Sequence, residues 1–213
     1  MDEIIILADG EFPTHEIPSR KLQNASMIVC CDGAAAKLLS CDITPGFIVG
    51  DMDSLALSLR EKYRNIIIES DCQQTNDLTK AFNHSLSLNP SRIIILGATG
   101  LREDHTLGNI SLLSDYSLMS SVSVELWTNS GRFIPVNSGG IFYAAKGSQV
   151  SIFALDCNLK IESIGLKYPL NNVVFDNWWR GTLNESIGHI LGISGAQEWK
   201  NCLKLPQIAP LFF

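Results

Sequence analysis

No apolar run in this 213-residue chain approaches the roughly 20 residues that a membrane-spanning helix needs, so insertion into a bilayer is not expected. Basic residues are few. The 16 Lys and Arg stand against 22 Asp and Glu, a net charge of -6, which argues against a general nucleic-acid binder because such proteins neutralise phosphate with a basic surface. The six cysteines (Cys30, Cys31, Cys41, Cys72, Cys157 and Cys202) include no C-x-x-C pair and are too sparse for a disulfide scaffold, so they are expected to be reduced and mostly buried. Met1-Asp2-Glu3, followed by Ile4-Ile5-Ile6-Leu7, has neither the basic region nor the small-residue cleavage site of a secretory signal. It reads as an immediate first strand, and the expected location is the cytoplasm. Internal repeats, low-complexity tracts and long linkers are also absent.

What is present is a hydrophobic fraction of 46% with 18% charged residues, the composition of a globular protein that can bury a core. Length leaves one large unit or two modest ones open. Through residues 1–130 short apolar runs near 4–8, 27–31, 47–49, 65–69, 92–96 and 122–127 alternate with stretches of helical periodicity. Nearly continuous apolar strands of this kind predict a Rossmann-like parallel sheet with helices on both faces. From 131 to 213 the helices disappear. Short runs at 132–136, 141–145, 149–155, 159–164, 173–175 and 188–193, separated by Gly, Asn, Pro and Ser turns, predict an all-β unit, a C-terminal β-sandwich.

Ligands of open α/β sheets bind beyond the carboxyl ends of the strands, and the candidate residues of this chain lie there. Gly50-Asp51-Met52-Asp53-Ser54 follows the third run and sets two carboxylates two residues apart, a spacing suited to one cation such as a polyphosphate-bound Mg²⁺. Asp53 or Ser54 can equally cap a helix over 55–63. The second run ends in Cys31-Asp32-Gly33-Ala34-Ala35-Ala36, where Asp32 either caps a helix or joins a site whose small residues admit a ligand close to the backbone. The fourth leads to Gln73-Gln74-Thr75-Asn76-Asp77-Leu78-Thr79-Lys80, with Thr75 or Asn76 as helix cap and Asp77 in the first turn, where the helix dipole favours a carboxylate. The fifth gives Leu96-Gly97-Ala98-Thr99-Gly100-Leu101-Arg102-Glu103-Asp104-His105, a glycine-rich turn with a guanidinium for phosphate and a further carboxylate. It lacks the G-K-[ST] of a Walker A loop and the G-x-G-x-x-G of a dinucleotide fold. His105 can also be a structural histidine.

Taken in order, C-D-G-A-A, G-D-M-D-S, Q-Q-T-N-D-L-T-K and G-x-x-G-x-R-x-D-H resemble the thiamin pyrophosphokinase family, as do the later Gly165-Leu166-Lys167-Tyr168-Pro169-Leu170 and Gly181-Thr182-Leu183-Asn184-Glu185-Ser186. The resemblance implies a homodimer with the substrate site near the subunit interface. It also implies transfer of the diphosphate of ATP to the hydroxyl of thiamin, giving thiamin diphosphate and AMP. Asp51, Asp53 and Asp77 would hold Mg²⁺, and together with Asp104 would form the catalytic set. Asp32, Gly33, Asn76, Thr79, Lys80, Thr99, Arg102 and His105 would bind ATP. Gln73, Ser163, Tyr168 and Asn184 would bind thiamin, Tyr168 by stacking where animal members typically carry Trp. Asn76-Asp77 departs from the family's usual Thr-Asp pair, and Trp178 and Trp179 are unassigned. The rival readings are a diphosphokinase for another heteroaromatic alcohol, such as a pterin, and a non-catalytic nucleotide or thiamin sensor.

Overall fold

The computed structural model describes residues 2–72, 74–137 and 139–195. The chain divides into two compact units, Met1–Pro135 and Val136–Phe213.

Within the described residues of the first unit, seven strands form one sheet: β1 (Glu3–Leu7), β2 (Ile28–Cys31), β3 (Phe47–Gly50), β4 (Ile67–Glu69), β5 (Arg92–Leu96), β6 (Ser123–Trp127) and β7 (Arg132–Phe133). Their order is β4-β3-β2-β1-β5-β6-β7. All neighbouring pairs are parallel except β6 with β7. Because β7 pairs Phe133 with Leu126 and Arg132 with Trp127, the run expected to open the β unit instead finishes the first sheet. Residues 132–133 thus belong to the first unit.

The chain starts at the centre of the sheet, steps outward to β4, then crosses back to β5 on the other side of β1. Right-handed crossovers place α1 (Glu16–Gln23), α2 (Asp32–Ser40) and α3 (Leu57–Lys62) on one face. They place α4 (Asp77–Ser87) and α5 (Glu103–Met119) on the other. The packing agrees: Leu78, Ala81 and Phe82 of α4 and Leu113 and Tyr116 of α5 share one buried cluster with Ile4, Ile6, Val29, Val49, Ile93, Ile95, Val124 and Leu126. These strand residues alternate with Ile5, Leu7, Cys30, Ile48 and Ile94, which are equally enclosed. The rings of Phe82 and Tyr116 stack with centroids 4.0 Å apart, joining α4 to α5.

The second unit holds β8 (Gly139–Tyr143), β9 (Gln149–Ile152), β10 (Ile161–Ile164), β11 (Gly181–Glu185) and β12 (Ile190–Gly195). Among the described residues they form two antiparallel sheets, ordered β10-β12-β8 and β11-β9. Phe142, Val150, Ile152, Ile161, Leu191 and Ile193, from both sheets, pack in one apolar cluster with Leu166, Leu170 and Phe175. This is the α/β plus all-β architecture that the residue pattern predicts.

Two strand expectations fail. Residues 173–175 are not a strand, because Asn172 at φ 70 turns the chain and Val173 N–H returns to the Leu170 carbonyl at 2.9 Å. β11 was not anticipated, since its Gly-Thr-Leu-Asn-Glu sequence hides the alternation behind an irregular register between Gly181 and Asn184, with Leu183 at φ 57. The cysteines also differ from expectation. Cys30 and Cys31 are buried in the central β2, whereas Cys41, Cys72 and Cys157 lie outside strands and are exposed; all five are free.

Candidate active site

Acidic side chains gather at the carboxyl edge of the parallel sheet. Asp32 opens α2 directly after β2, with Cys31 rather than Asp32 as the helix cap. Its carboxylate is 3% exposed and accepts the Gly33 N–H at 2.8 Å through Oδ1 and the Ser54 N–H at 3.4 Å through Oδ2. Burial raises its pKa, the Gly33 N–H opposes this, and the charges of Asp77 and Asp51 add to the rise. Asp32, Asp51 and Asp77 therefore share one electrostatic environment.

After β3 the chain turns through Met52, which has φ 68 and is fully buried. Asp51 and Asp53 flank it, and Asp51 Oδ1 accepts the Asp53 N–H at 3.1 Å. Neither Asp53 nor Ser54 caps the following helix, since Ala56 occupies that position. The capping alternative for this motif is thereby removed.

Asn76 caps α4, its Oδ1 accepting the Thr79 N–H at 2.9 Å. Its amide also donates to Asn109 Oδ1 at 3.3 Å, and Asn109 donates to the Ala98 carbonyl at 2.8 Å, so α4, α5 and the turn after β5 are tied together. Asp77 follows in the first turn and pairs with the buried Lys80 Nζ at 3.0 Å. Burial alone would lower the Lys80 pKa, but its hydrogen bond to Asp77 and the charges of Asp77 and Asp51 outweigh it, and the net shift is upward. Lys80 thus stays cationic at neutral pH. The Thr79 hydroxyl shares a 2.7 Å hydrogen bond with the Tyr116 hydroxyl. Burial pushes the Tyr116 pKa up to about 12, so that hydroxyl keeps its proton.

The glycine-rich turn after β5 is held against the turn after β1. Gly10 N–H meets the Gly97 carbonyl at 2.5 Å and Glu11 N–H meets the Thr99 carbonyl at 2.7 Å. Gly97 has φ 66, and a Cβ there would lie 2.5 Å from the Ala8 carbonyl, so only glycine fits. Arg102 and Asp104 are exposed and form a two-pronged pair at 3.1 and 2.6 Å. The Arg102 hydrogen bonds, together with the His105 N–H, lower the Asp104 pKa to about 2. His105 is itself exposed.

Sequence reasoning passed over Asp9, directly after the β1 end. Its Oδ1 pairs with Lys37 Nζ at 3.2 Å, and its Oδ2 lies 2.7 Å from where a Gly33 Cβ would stand. The signal was available in its place beyond the first strand. Asn129 was also missed: its side chain accepts from Thr14 and His15 N–H at 2.7 and 2.9 Å and donates to the Phe12 carbonyl at 3.1 Å, fixing the entry to α1.

Among the described residues no three carboxylate, imidazole or thiol groups converge into a ready-made cation site. One Asp51 oxygen is bonded within its own loop, and one Asp77 oxygen is taken by Lys80. Such a donor set fits a hard cation that keeps several waters and draws further oxygens from a polyphosphate, as Mg²⁺ does, rather than an all-protein cage.

In the second unit Tyr168 is 60% exposed, with Lys167 Nζ 5.9 Å from its ring centre. Asn184 is buried and grips the Tyr168 backbone, accepting its N–H at 3.1 Å and donating to its carbonyl at 2.6 Å. Ser163 Oγ accepts the Leu170 N–H at 2.9 Å. Both polar side chains therefore shape the Tyr168 loop. Gln73 lies outside the described residues.

An acidic carboxyl edge thus lies on a parallel sheet covered by helices, and an antiparallel β unit follows it in the chain. The family model for the thiamin pyrophosphokinase catalytic domain matches residues 19–126, and that for the thiamin pyrophosphokinase substrate-binding domain matches residues 131–199. The chain belongs to the thiamin pyrophosphokinase family, enzymes of ATP-dependent diphosphate transfer. It is 29% identical over 182 residues to "Thiamine pyrophosphokinase" of Bacillus subtilis (strain 168), covering 81% of this chain and 83% of that one. A shorter stretch of 84 residues is 39% identical to "Thiamine pyrophosphokinase 1" of Oryza sativa subsp. japonica, covering 34% of this chain and 31% of the relative. The solved structure of thiamine pyrophosphokinase from Bacillus subtilis shares the fold with a TM-score of 0.76, at 23% identity over 91% of this chain and 94% of that one.

Proposed function

We propose that this chain transfers the diphosphate of ATP to the hydroxyl of thiamin, releasing AMP and thiamin diphosphate. The observation that carries this reading is the paired match of catalytic and substrate-binding family models along one chain. The acidic strand ends support it, because in-line transfer of a diphosphate is catalysed by charge neutralisation and alignment and requires no covalent protein intermediate.

In this reading Asp51, Asp53 and Asp77 hold Mg²⁺, which supplies charge neutralisation on the polyphosphate. Lys80 orients the Asp77 carboxylate through their 3.0 Å pair. Arg102, held open beside Asp104, exchanges that partner for a phosphate oxygen. Gly33, Asn76, Thr79, Thr99 and His105 line the nucleotide side. Asn76 and Thr79 do so by fixing the start of α4. Asp104, freed from Arg102, receives the proton of the attacking hydroxyl. On the acceptor side Tyr168 stacks on a thiamin ring, with Ser163 and Asn184 holding its loop and Gln73 contributing a polar contact. The enzyme acts in the cytoplasm as a homodimer with the acceptor site near the subunit interface; the free cysteines among the described residues accord with a reducing compartment.

The test is AMP and thiamin diphosphate formation by purified protein with ATP, thiamin and Mg²⁺, with a chelator control and a pterin alcohol as competing acceptor. Turnover of the pterin and not of thiamin would overturn the acceptor. Undiminished turnover in chelator would overturn the metal assignment.

A further inference from the structure

One carboxylate joins the end of β2 to the loop after β3. We propose that Asp32 is a positioning residue for Asp51 and Asp53, not a group that touches substrate, and that Gly50 is the seat that makes the joint possible. The inference rests on the diphosphate-transfer reading for its catalytic consequence.

Asp32 presents almost no surface to a ligand, and both of its oxygens accept backbone N–H groups, one from its own helix and one from Ser54 across the site. The backbone of Gly50 packs directly on this carboxylate: a Cβ at Gly50 would lie 2.7 Å from both Cγ and Oδ1 of Asp32. No side chain fits between them. The loop leaving Gly50 needs holding, because Met52 adopts a positive φ that non-glycine residues rarely occupy. Two anchors hold it. On one side of Asp53 the Met52 side chain is fully buried and its carbonyl accepts the Leu55 N–H at 3.1 Å; on the other, Ser54 N–H is bound by Asp32. The Asp53 N–H in turn orients Asp51. The same carboxylate-on-glycine packing occurs one strand over, where Asp9 rests on Gly33.

Three variants test the joint: Asp32→Asn, Asp32→Ala and Gly50→Ala, the last keeping every carboxylate. Amide hydrogen exchange of residues 50–55, calorimetric Mn²⁺ binding with a nonreactive ATP analogue, and AMP formation against Mg²⁺ concentration are the readouts. Loss of the bond to a charged group predicts about tenfold faster exchange at Ser54 and about tenfold weaker Mn²⁺ binding in Asp32→Ala. The half-saturating Mg²⁺ rises by a similar factor, while kcat at saturating Mg²⁺ changes less than about threefold. Asp32→Asn is intermediate, and Gly50→Ala moves all readouts in the same direction. If Asp32→Ala does not fold, the other two variants decide. Abolished turnover at every Mg²⁺ concentration with wild-type exchange and Mn²⁺ affinity would overturn the proposal, as would a Gly50→Ala variant indistinguishable from wild type. A wild-type protein that forms no AMP would sink the functional reading instead, and the exchange data would then judge the joint by themselves.

Discussion

In the first unit Ile4, Ile6, Ile93 and Ile95 are fully enclosed and the large apolar side chains left exposed are aliphatic, such as Leu57, Leu101 and Leu118, whereas the second unit leaves the aromatic Phe153, Tyr168, Trp178 and Trp179 open to solvent along with Leu183 and Ile190. The difference follows from architecture. A parallel sheet needs crossover helices, and those helices cover both faces; two small antiparallel sheets can bury one face against each other and leave the outer faces bare. Of the six, only Leu183 and Ile190 are on strands; Phe153, Tyr168, Trp178 and Trp179 lie on the connections between strands. The first unit thus supplies the frame that carries the acidic strand-end residues, and the second carries the exposed aromatic side chains.

The largest effect that would sharpen this contrast is chemical. Asp51→Asn is expected to cut AMP formation by about 100-fold or more while the thermal midpoint moves by no more than about 2 °C, since the change lies outside the core. Asp77→Asn should lose similar activity and also destabilise the chain by about 1–3 kcal/mol in denaturant titration, because the buried Lys80 loses its partner. If Tyr168→Ala matched these activity losses at saturating thiamin, the division between the units would break down.

Core truncation comes next. Phe82→Ala removes a fully buried ring stacked on Tyr116 and is expected to cost about 3–5 kcal/mol, read by urea unfolding, with nucleotide binding weakened and the thiamin KM unchanged. Phe175→Ala, in the smaller cluster of the second unit, is expected near the low end at about 3 kcal/mol. It should raise the thiamin KM and leave nucleotide affinity unchanged. Equal effects on both ligands would show that the units do not act separately.

Tyr168→Ala should raise the thiamin KM about tenfold with no change in thermal midpoint, because its ring is exposed and its backbone stays clasped by Asn184. The smallest effect is electrostatic. Asp104 is held down to about 2 by Arg102, below the ordinary 3.8. A depressed carboxylate contributes stability above its unfolded pKa and loses it as pH falls through the folded one, here between pH 3.8 and about 2. Arg102→Ala should therefore move the Asp104 titration, followed by NMR, back up toward 3.8. An unmoved midpoint would mean that the pair does not form in solution.

The strands of the first unit were legible because continuous runs such as Arg92–Leu96 can be buried on both faces in only a few ways. The motifs carrying Asp32, Asp51, Asp77 and Asp104 stood out for the same reason, each following such a run. The second unit was less legible. Val173–Val174–Phe175 has strand composition but follows the Asn171-Asn172 turn, while Thr182 and Asn184 conceal a real strand whose register is irregular. Asp9 escaped notice because a single carboxylate after a strand is ordinary until its neighbour is known to be Gly33. Likewise the sequence marks Ser163 and Asn184 as candidate ligand contacts but does not reveal their hydrogen bonds to the backbone of Leu170 and Tyr168.

The sequence by itself determined the alternation of strands and helices, the change to an all-β pattern, and the order of the acidic motifs, since burial periodicity and turn chemistry act over a few residues. Only the tertiary structure decided that β1 lies between β2 and β5, that Asp32 rests on Gly50, and that Lys80 keeps its charge beside Asp77. Those outcomes depend on which distant segments share a face and a dielectric environment, and neither is encoded in local spacing.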